Sequence, residues 1–277
     1  MPRDRTAPAD GSAAPTQGRE ADFVQSLQRG LAVIRAFDAA SPALTLSEVA
    51  RATGLARAAA RRFLLTLVDL GYMRVEDRRF TLTPRVLELG HAYLSSLTLP
   101  DIALPYMRDF VAAIRESSSL CVLDGDHIVY VARVPANRIM SVSISVGTRF
   151  PAFATSLGRV LLAGQTDEWL AGYLASAELT PITARTIADP KQLAAELDRV
   201  RRQGWAMVDQ ELEEGVRSLA APIHDAAGKV AAAINVSVHA SRWSLESMRE
   251  QLLPPLLETA ASVDRDAHAP ARVIGTT

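Results

Sequence analysis

One cysteine, Cys121, stands among 277 residues. The chain can therefore form no internal disulfide, which fits a reducing compartment, the cytoplasm. It has no run of about 18 uninterrupted apolar residues, so no membrane span and no membrane partner are expected. Five histidines, at 91, 127, 224, 239 and 268, show no metal-ligand spacing. Neither a GxGxxG nor a P-loop occurs, so no metal and no cofactor are expected. The nearest approach to a nucleophile elbow, Ala154-Thr-Ser-Leu-Gly158, lacks the first glycine and a clear preceding strand. No residue reads as catalytic, and an enzyme is not expected. Lysine is scarce as well: Lys191 and Lys229 are the only two among 30 basic residues. With so much alanine, that bias reflects a GC-rich genome more simply than a phosphate-binding role.

What is present is ample apolar material, 48% of the chain, and enough length for two domains. Residues 1–22 carry acids and no apolar segment; they read as a polar disordered tail, not a secretory signal. Net charge is −1, but it is unevenly spread. Residues 23–85 hold ten arginines against five acids, which is +5 locally and leaves −6 for the rest. A basic module on a mildly acidic body points to an anionic partner for the first part only.

Within that module, Leu27, Leu31 and Ile34, with Val33 and Phe37 beside them, mark an amphipathic helix over 26–38. Thr45-Leu-Ser-Glu48 reads as a capping box opening a short helix that stops at Gly54. A third helix follows to Gly71, then a hairpin over 72–83 with a polar corner at Glu76-Asp77-Arg78. Gly54 permits the sharp bend between the second and third helices. Helix, helix, turn, helix, hairpin is the layout of a winged helix-turn-helix. At 100° per residue, Ala60, Phe63, Leu64, Leu67 and Leu70 share one side of the third helix, and Arg57, Ala58, Arg61 and Arg62 share the other. The first half of that helix is the part that enters a DNA major groove, where arginine pairs bidentately with guanine. Arg78 and Arg79 at the wing suit phosphate or minor-groove contact. Thr45 and Ser47, at the start of the preceding helix, complete the candidate DNA contacts. Any single arginine reads as a solvated charge; the combination of charge excess, helix order, glycine bend and basic hairpin reads as DNA binding.

Beyond residue 98 the pattern changes. A helix over 100–115 leads to strands over 119–123, 127–134 and 140–145, with a turn at Asp124-Gly125-Asp126. A loop, TRFPAFATSLG, enters the helix SLGRVLLAG. Helices follow near 167–175 and over 189–203, the latter with Asp189 as N-cap and Pro190 at its first position. Strands return over 205–208, 218–223 and 230–238, and a helix over 244–265 closes the body. This is an α+β body, an antiparallel sheet with helices around it. On the strand AAAINVSVHA, Asn235 and Ser237 alternate and so share a face. Two polar groups facing inward need partners, either neighbouring backbone or a bound ligand. Cys121 reads as a small core thiol on a strand.

These stretches together resemble the IclR family of bacterial transcription regulators, over about residues 23–265. SLQRGLAVIRAF, LTLSEVARATGLARAAARRFLLTLVDLGYM, FPAFATSLGRVLLAG, GWAMVDQELEEGVRSLAAPIHD and AAAINVSVHA carry the resemblance. More narrowly, RRFLLTLVDLGY, FTLTPRVLELGHAYLSSL, SSSLCVLDGDHIVYVARVP and MSVSISVGTRFPAFATSLGRVLLA are similar to the branch that regulates β-ketoadipate pathway genes. The resemblance implies a winged helix-turn-helix over 23–84, a linker helix over 85–98, a GAF-like effector-binding domain over 99–265 and a flexible tail over 266–277. It implies operator double-stranded DNA as partner, a homodimer or dimer of dimers, and RNA polymerase as a further partner of an activator. It implies a small aromatic or dicarboxylic acid as effector, such as protocatechuate, 4-hydroxybenzoate or β-ketoadipate. The effector site it implies comprises Pro151, the amides of Thr155, Ser156, Leu157 and Gly158 at a helix N-terminus suited to a carboxylate, Asp209, Val216, Ser218, Asn235 and Ser237. Arg133 and Arg149 are cationic candidates near its mouth.

Overall fold

The computed structural model describes residues 23–38, 40–89, 98–136 and 144–268. The expected tails, most of the linker helix (90–97) and most of the strand expected over 140–145 lie outside them. The chain divides into two compact units, Met1–Tyr93 and Leu94–Thr277.

The first unit contains α1 (Gln25–Arg35), β1 (Ala43–Thr45), α2 (Leu46–Thr53), α3 (Arg57–Asp69), β2 (Met73–Glu76) and β3 (Arg79–Leu82). The three strands form an antiparallel sheet in the order β1-β3-β2. The expected capping box is formed: Thr45 Oγ1 accepts from the Glu48 amide, and the Glu48 carboxylate accepts from the Thr45 amide at 2.7 Å. Gly54 ends α2 in the left-handed conformation, φ +66°, which a Cβ would disfavour. Val33, Phe37, Val49, Leu64, Leu67, Met73 and Phe80 form the core. Two expected core faces differ. Leu27 and Leu31 on α1 are 62% and 47% exposed, and Leu70 is 52% exposed, because α3 ends at Asp69 and Leu70 already turns away. The strand β1 went unforeseen: three residues carry no periodicity, and pairing with β3 alone defines it. The helix expected from Pro84 opens as a 3-10 turn, Pro84–Val86, and is α-helical over 87–89.

The second unit is a six-stranded antiparallel sheet between two helical layers. Its elements are α4 (Thr98–Ile114), β4 (Ser117–Asp124), β5 (His127–Val134), β6 (Arg149–Pro151), α5 (Ser156–Ala163), α6 (Asp167–Ser176), α7 (Pro190–Gln203), β7 (Ala206–Asp209), β8 (Val216–His224) and β9 (Val230–His239). A closing helix follows in three pieces, Leu245–Ser247, a π-helical turn Met248–Leu252, and Leu253–Ala267. Strand order is β6-β5-β4-β9-β8-β7. Alternation assigns the faces. Ile234, Val236 and Val238 of β9, with Leu219 and Ala221 of β8, pack under α4 and the closing helix. Ala233, Ala220, Cys121 and Tyr130 pack on the opposite side with α5 and α7. Asn235, Ser237 and Ser218 share that second face. Asp189 caps α7 with Pro190 at its first position, as expected. Both lysines are exposed in this unit, Lys191 at the start of α7 and Lys229 in the turn before β9. Cys121 is fully buried, and burial pushes its thiol pKa well up, so it stays a protonated core group.

Candidate functional site

In the first unit, α3 begins without a side-chain cap, at Ala56. Its first amides and the positive end of its dipole are therefore open to an anion. Arg57, Ala58, Arg61 and Arg62 are all exposed at this end. The three guanidinium groups have no acidic partner among the described residues. Ser47 is exposed on the first turn of α2. The wing closes tightly: Glu76 pairs with Arg79, leaving Asp77 and Arg78 as a two-residue turn with φ of +48° and +66°. Both positive angles define a type I′ turn, which prefers glycine at its second position. Arg78 occupies it instead, with its side chain exposed. Two expected contacts are already engaged. The Thr45 hydroxyl serves the capping box, and Arg79 Nη1 donates to the Ala43 carbonyl at 3.0 Å, 3.8 Å from the Glu48 carboxylate. The capping interaction with Thr45 holds the Glu48 pKa below its ordinary value.

In the second unit, a cavity of about 350 Å³ opens on the α5 side of the sheet. Pro151, Thr155, Ser156, Leu157, Val216, Ser218, Asn235 and Ser237 line it. Gly158 and Asp209 do not. The Gly158 amide is consumed by the helix cap, donating to Thr155 Oγ1 at 2.9 Å. Its missing side chain serves packing: a Cβ there would lie 2.1 Å from the Ala152 carbonyl oxygen. Asp209 is one register position away from the cavity. Val208 pairs with Ser218 and faces it, whereas Asp209 pairs with Arg217 on the other face. There its carboxylate accepts from Arg217 Nε at 2.5 Å, from Gln210 and from Arg185. Desolvation opposes its ionisation, yet these bonds hold its pKa below the usual aspartate value. The Thr155 amide is also used, donating to Ala152 at 3.3 Å. The anion-binding end of α5 thus narrows from four amides to two, Ser156 and Leu157, which have no acceptor among the described residues.

Hydroxyl and amide groups gather at that end. Ser156 Oγ donates to Ser218 Oγ at 2.8 Å, and Asn235 Nδ2 donates to Ser237 Oγ at 3.0 Å. Asn235 Oδ1 accepts from the Ser119 amide at 2.9 Å. Neighbours therefore satisfy part of Asn235, and one of its N–H groups remains to serve a ligand. The other lining residues, Tyr130, Ile144, Phe150, Ala154, Ile182, Val208 and Leu212, are apolar or aromatic, apart from Glu213. Tyr130 and Phe150 meet edge to face, with centroids 5.9 Å apart. The sequence reading missed all of these: Tyr130 sits in a continuously apolar strand, Ile144 in a strand expected over 140–145 whose facing was not assigned, and Ile182 and Leu212 in connections without periodicity. No basic side chain lines the cavity among the described residues. Arg149 pairs with Asp124, and half-buried Arg133 donates to Ser119 Oγ at 3.2 Å.

Arg159 was also missed. It is 1% exposed on α5, and its guanidinium meets Glu211 at 2.5 Å and the Phe153 carbonyl at 3.0 Å. Glu211 in turn accepts from the Ile187 amide at 2.9 Å. This pair ties the helix under the cavity to the segments that carry Ile182 and Leu212. An arginine inside the apolar run SLGRVLLAG was the available signal.

A winged helix-turn-helix with exposed arginines and a ligand-sized, donor-lined cavity in one chain define a ligand-responsive DNA-binding regulator. The IclR helix-turn-helix domain matches residues 26–77, and the bacterial transcriptional regulator IclR C-terminal domain matches 91–265. The chain belongs to the IclR family of bacterial transcriptional regulators, a family of regulators and not of enzymes. It is 48% identical over 244 residues to the Pca regulon regulatory protein of Pseudomonas putida, covering 88% of this chain and 83% of that one. A transcriptional regulator from Rhodococcus sp. RHA1, 54% identical, superposes with a TM-score of 0.80 over 88% of this chain and 98% of that one. An IclR homologue from Microbacterium hydrocarbonoxydans, solved with 4-hydroxybenzoate, is 27% identical with a TM-score of 0.78, covering 89% of this chain and all of that one. No helix among the described residues is long and apolar enough to cross a membrane.

Proposed function

We propose that this chain controls genes of aromatic-acid catabolism, those of the β-ketoadipate pathway, in response to a small carboxylate. The carrying observation is the cavity itself. Two open amides, Ser156 and Leu157, and a group of hydroxyls gather at one end, and aromatic and aliphatic walls surround the rest. That division suits an aromatic acid, carboxylate at the helix end and ring against Tyr130 and Phe150. The similarity to the Pca regulon regulator and to a 4-hydroxybenzoate complex supports the same class. In the cytoplasm, two copies set their α3 helices on half-sites of an operator. Phe23 and Val24 just before α1, with Leu27 and Leu31 on it, leave apolar side chains exposed that suit a homodimer, or a dimer of dimers. RNA polymerase is a further partner where the chain activates. The effector acts by binding two DNA-competent arrangements with different affinity.

Arg57, Ala58, Arg61, Arg62, Ser47 and Arg78 are the proposed DNA contacts, with Arg79 and Thr45 as braces of the same surface. A thermal-shift titration with protocatechuate, 4-hydroxybenzoate and β-ketoadipate tests the effector class. A ligand at about 100 times its Kd adds about 2.7 kcal/mol, a plainly raised midpoint. Ser218→Leu removes that shift and leaves operator binding, whereas Arg61→Ala removes operator binding and leaves the shift. No shift with any of the three acids sinks the effector assignment.

A further inference from the structure

The burial pattern of α3 separates its arginines by what each can reach. Ala60 and Leu64 are fully buried and Leu67 nearly so, which fixes the side of the helix that faces the core. At about 100° per residue, Ala58 and Arg62 point within about 30° of the opposite direction, one turn apart. Arg61 and Arg57 stand about 90° and 130° round to one side. All four are exposed. With the first half of α3 in a major groove, Arg62 is aimed at base edges, and Arg57 and Arg61 at the rim, where the phosphates run.

Composition narrows what the groove-facing side reads. Residues 57–66 include no Asn, Gln, Asp or Glu. Bidentate recognition of adenine and acceptance from the cytosine amino group are therefore closed to them. Arginine reads guanine, through N7 and O6. Ala58 has no polar side-chain atom, so its exposed methyl can only make apolar contact. The thymine C5-methyl is the apolar group that a base pair shows in the major groove. One turn beyond Arg62, the Thr66 hydroxyl is engaged, donating to the Arg62 carbonyl at 2.9 Å. Asp69 is exposed at the end of the same side, where its carboxylate would repel phosphate, so the helix leaves the groove there.

We propose that Ala58 and Arg62 are the sequence-reading residues of α3, and that each operator half-site presents them a thymine methyl and a guanine. The two residues are about 6 Å apart along the helix axis, so the two bases lie roughly one or two base-pair steps apart. Arg57 and Arg61 supply affinity through phosphates and carry no base preference. The inference rests on the DNA-binding reading of this unit and adds which bases it selects.

The test starts by selecting sites from a randomised double-stranded DNA library with the full chain. The selected half-site is expected to hold a guanine and a thymine at that spacing. Affinities for it are then measured by fluorescence anisotropy at low salt, where phosphate contacts keep weakened variants on DNA. Replacing the thymine by deoxyuridine deletes only the methyl group and should weaken wild-type binding about 4-fold, the worth of one buried methyl. Ala58→Gly should bind the two DNAs alike. Replacing the guanine by 7-deazaguanine removes the N7 acceptor and should weaken wild-type binding roughly 10-fold, the worth of one hydrogen bond to a charged group. Arg62→Ala should bind these two alike, whereas Arg57→Lys and Arg61→Lys, which keep the charge, should retain the preference. The proposal is overturned if the uridine penalty persists in Ala58→Gly, or if Arg62→Ala still prefers guanine. It is equally overturned if that preference is lost in Arg57→Lys or Arg61→Lys, or if the selected half-sites lack the pair. A chain that enriches no sequence at all overturns the DNA-binding reading with it; a selected site read by other residues overturns this inference alone.

Discussion

Gly158→Ala separates helix propensity from packing, because the two act with opposite signs. Gly158 lies inside α5, and alanine in a helix interior is favoured over glycine by about 1 kcal/mol. On propensity alone the variant is more stable. The structure reverses that. The new Cβ would meet three Ala152 backbone atoms, the carbonyl oxygen at 2.1 Å, Cα at 2.4 Å and the carbonyl carbon at 2.5 Å. Ordinary contact begins at 3.4 Å, so the two backbones must part by 3.4 − 2.1 = 1.3 Å. No side chain can rotate out of the way. Overpacking in a tight core costs about 1–3 kcal/mol, and a backbone-on-backbone clash belongs at the upper end. Setting about 3 against a gain of about 1 leaves a loss of about 2 kcal/mol. For a unit of this size that lowers Tm by about 4–8 °C. Scanning calorimetry of the purified variant measures it. The same displacement moves the Ser156 and Leu157 amides, so the effector response should weaken in parallel. An unchanged or raised Tm would refute the argument, since it would mean α5 and the Ala152–Ala154 turn are not in contact as described.

Three further outcomes are expected. Glu211→Gln removes the nearer of two carboxylates at the fully buried Arg159 guanidinium, leaving Glu196 at 3.8 Å, and should cost about 1.5–3 kcal/mol by denaturant unfolding, whereas an exposed pair would cost under about 1. Arg78→Gly relieves the left-handed strain at the wing tip and should stabilise the isolated transition of the first unit by about 0.5–1 kcal/mol. The same change should lower the slope of log affinity for DNA against log salt by about 1; an unchanged slope would remove Arg78 from the phosphate contacts. The pKa of Asp209 is depressed in the folded chain, so its stabilisation is present above the ordinary aspartate value of 3.8 and is lost as pH falls through the folded value. Asp209→Asn should therefore flatten the fall of stability below about pH 4 in an acid titration monitored by circular dichroism.

How far the residues announce this structure depends on whether a property repeats along the chain. The α3 faces, the Thr45–Glu48 cap and the Asn235/Ser237 pair follow from spacings of three, four and two, and each is local. Leu27 and Leu31 show the boundary of that method. Their spacing marks a shared apolar face correctly, but spacing does not say what covers it. Asp209 failed on register: residues on two paired strands share a face only through their pairing, which is a long-range fact. Of the four amides expected at the start of α5, capping by Thr155 and the turn at Ala152 engage two, those of Gly158 and Thr155, and spacing along the chain does not show which. Ile182 and Leu212 reach the cavity because the Arg159–Glu211 pair draws their segments to α5, and nothing local encodes that.

The scarcity of lysine bears on how the protein can be handled. Amine-reactive chemistry has two side-chain targets, Lys191 and Lys229, both exposed and both in the effector-binding unit. The DNA-binding unit, basic as it is, offers arginine alone. Coupling to a sensor surface through lysine therefore grips the protein by its ligand-sensing half and leaves every proposed DNA contact chemically untouched.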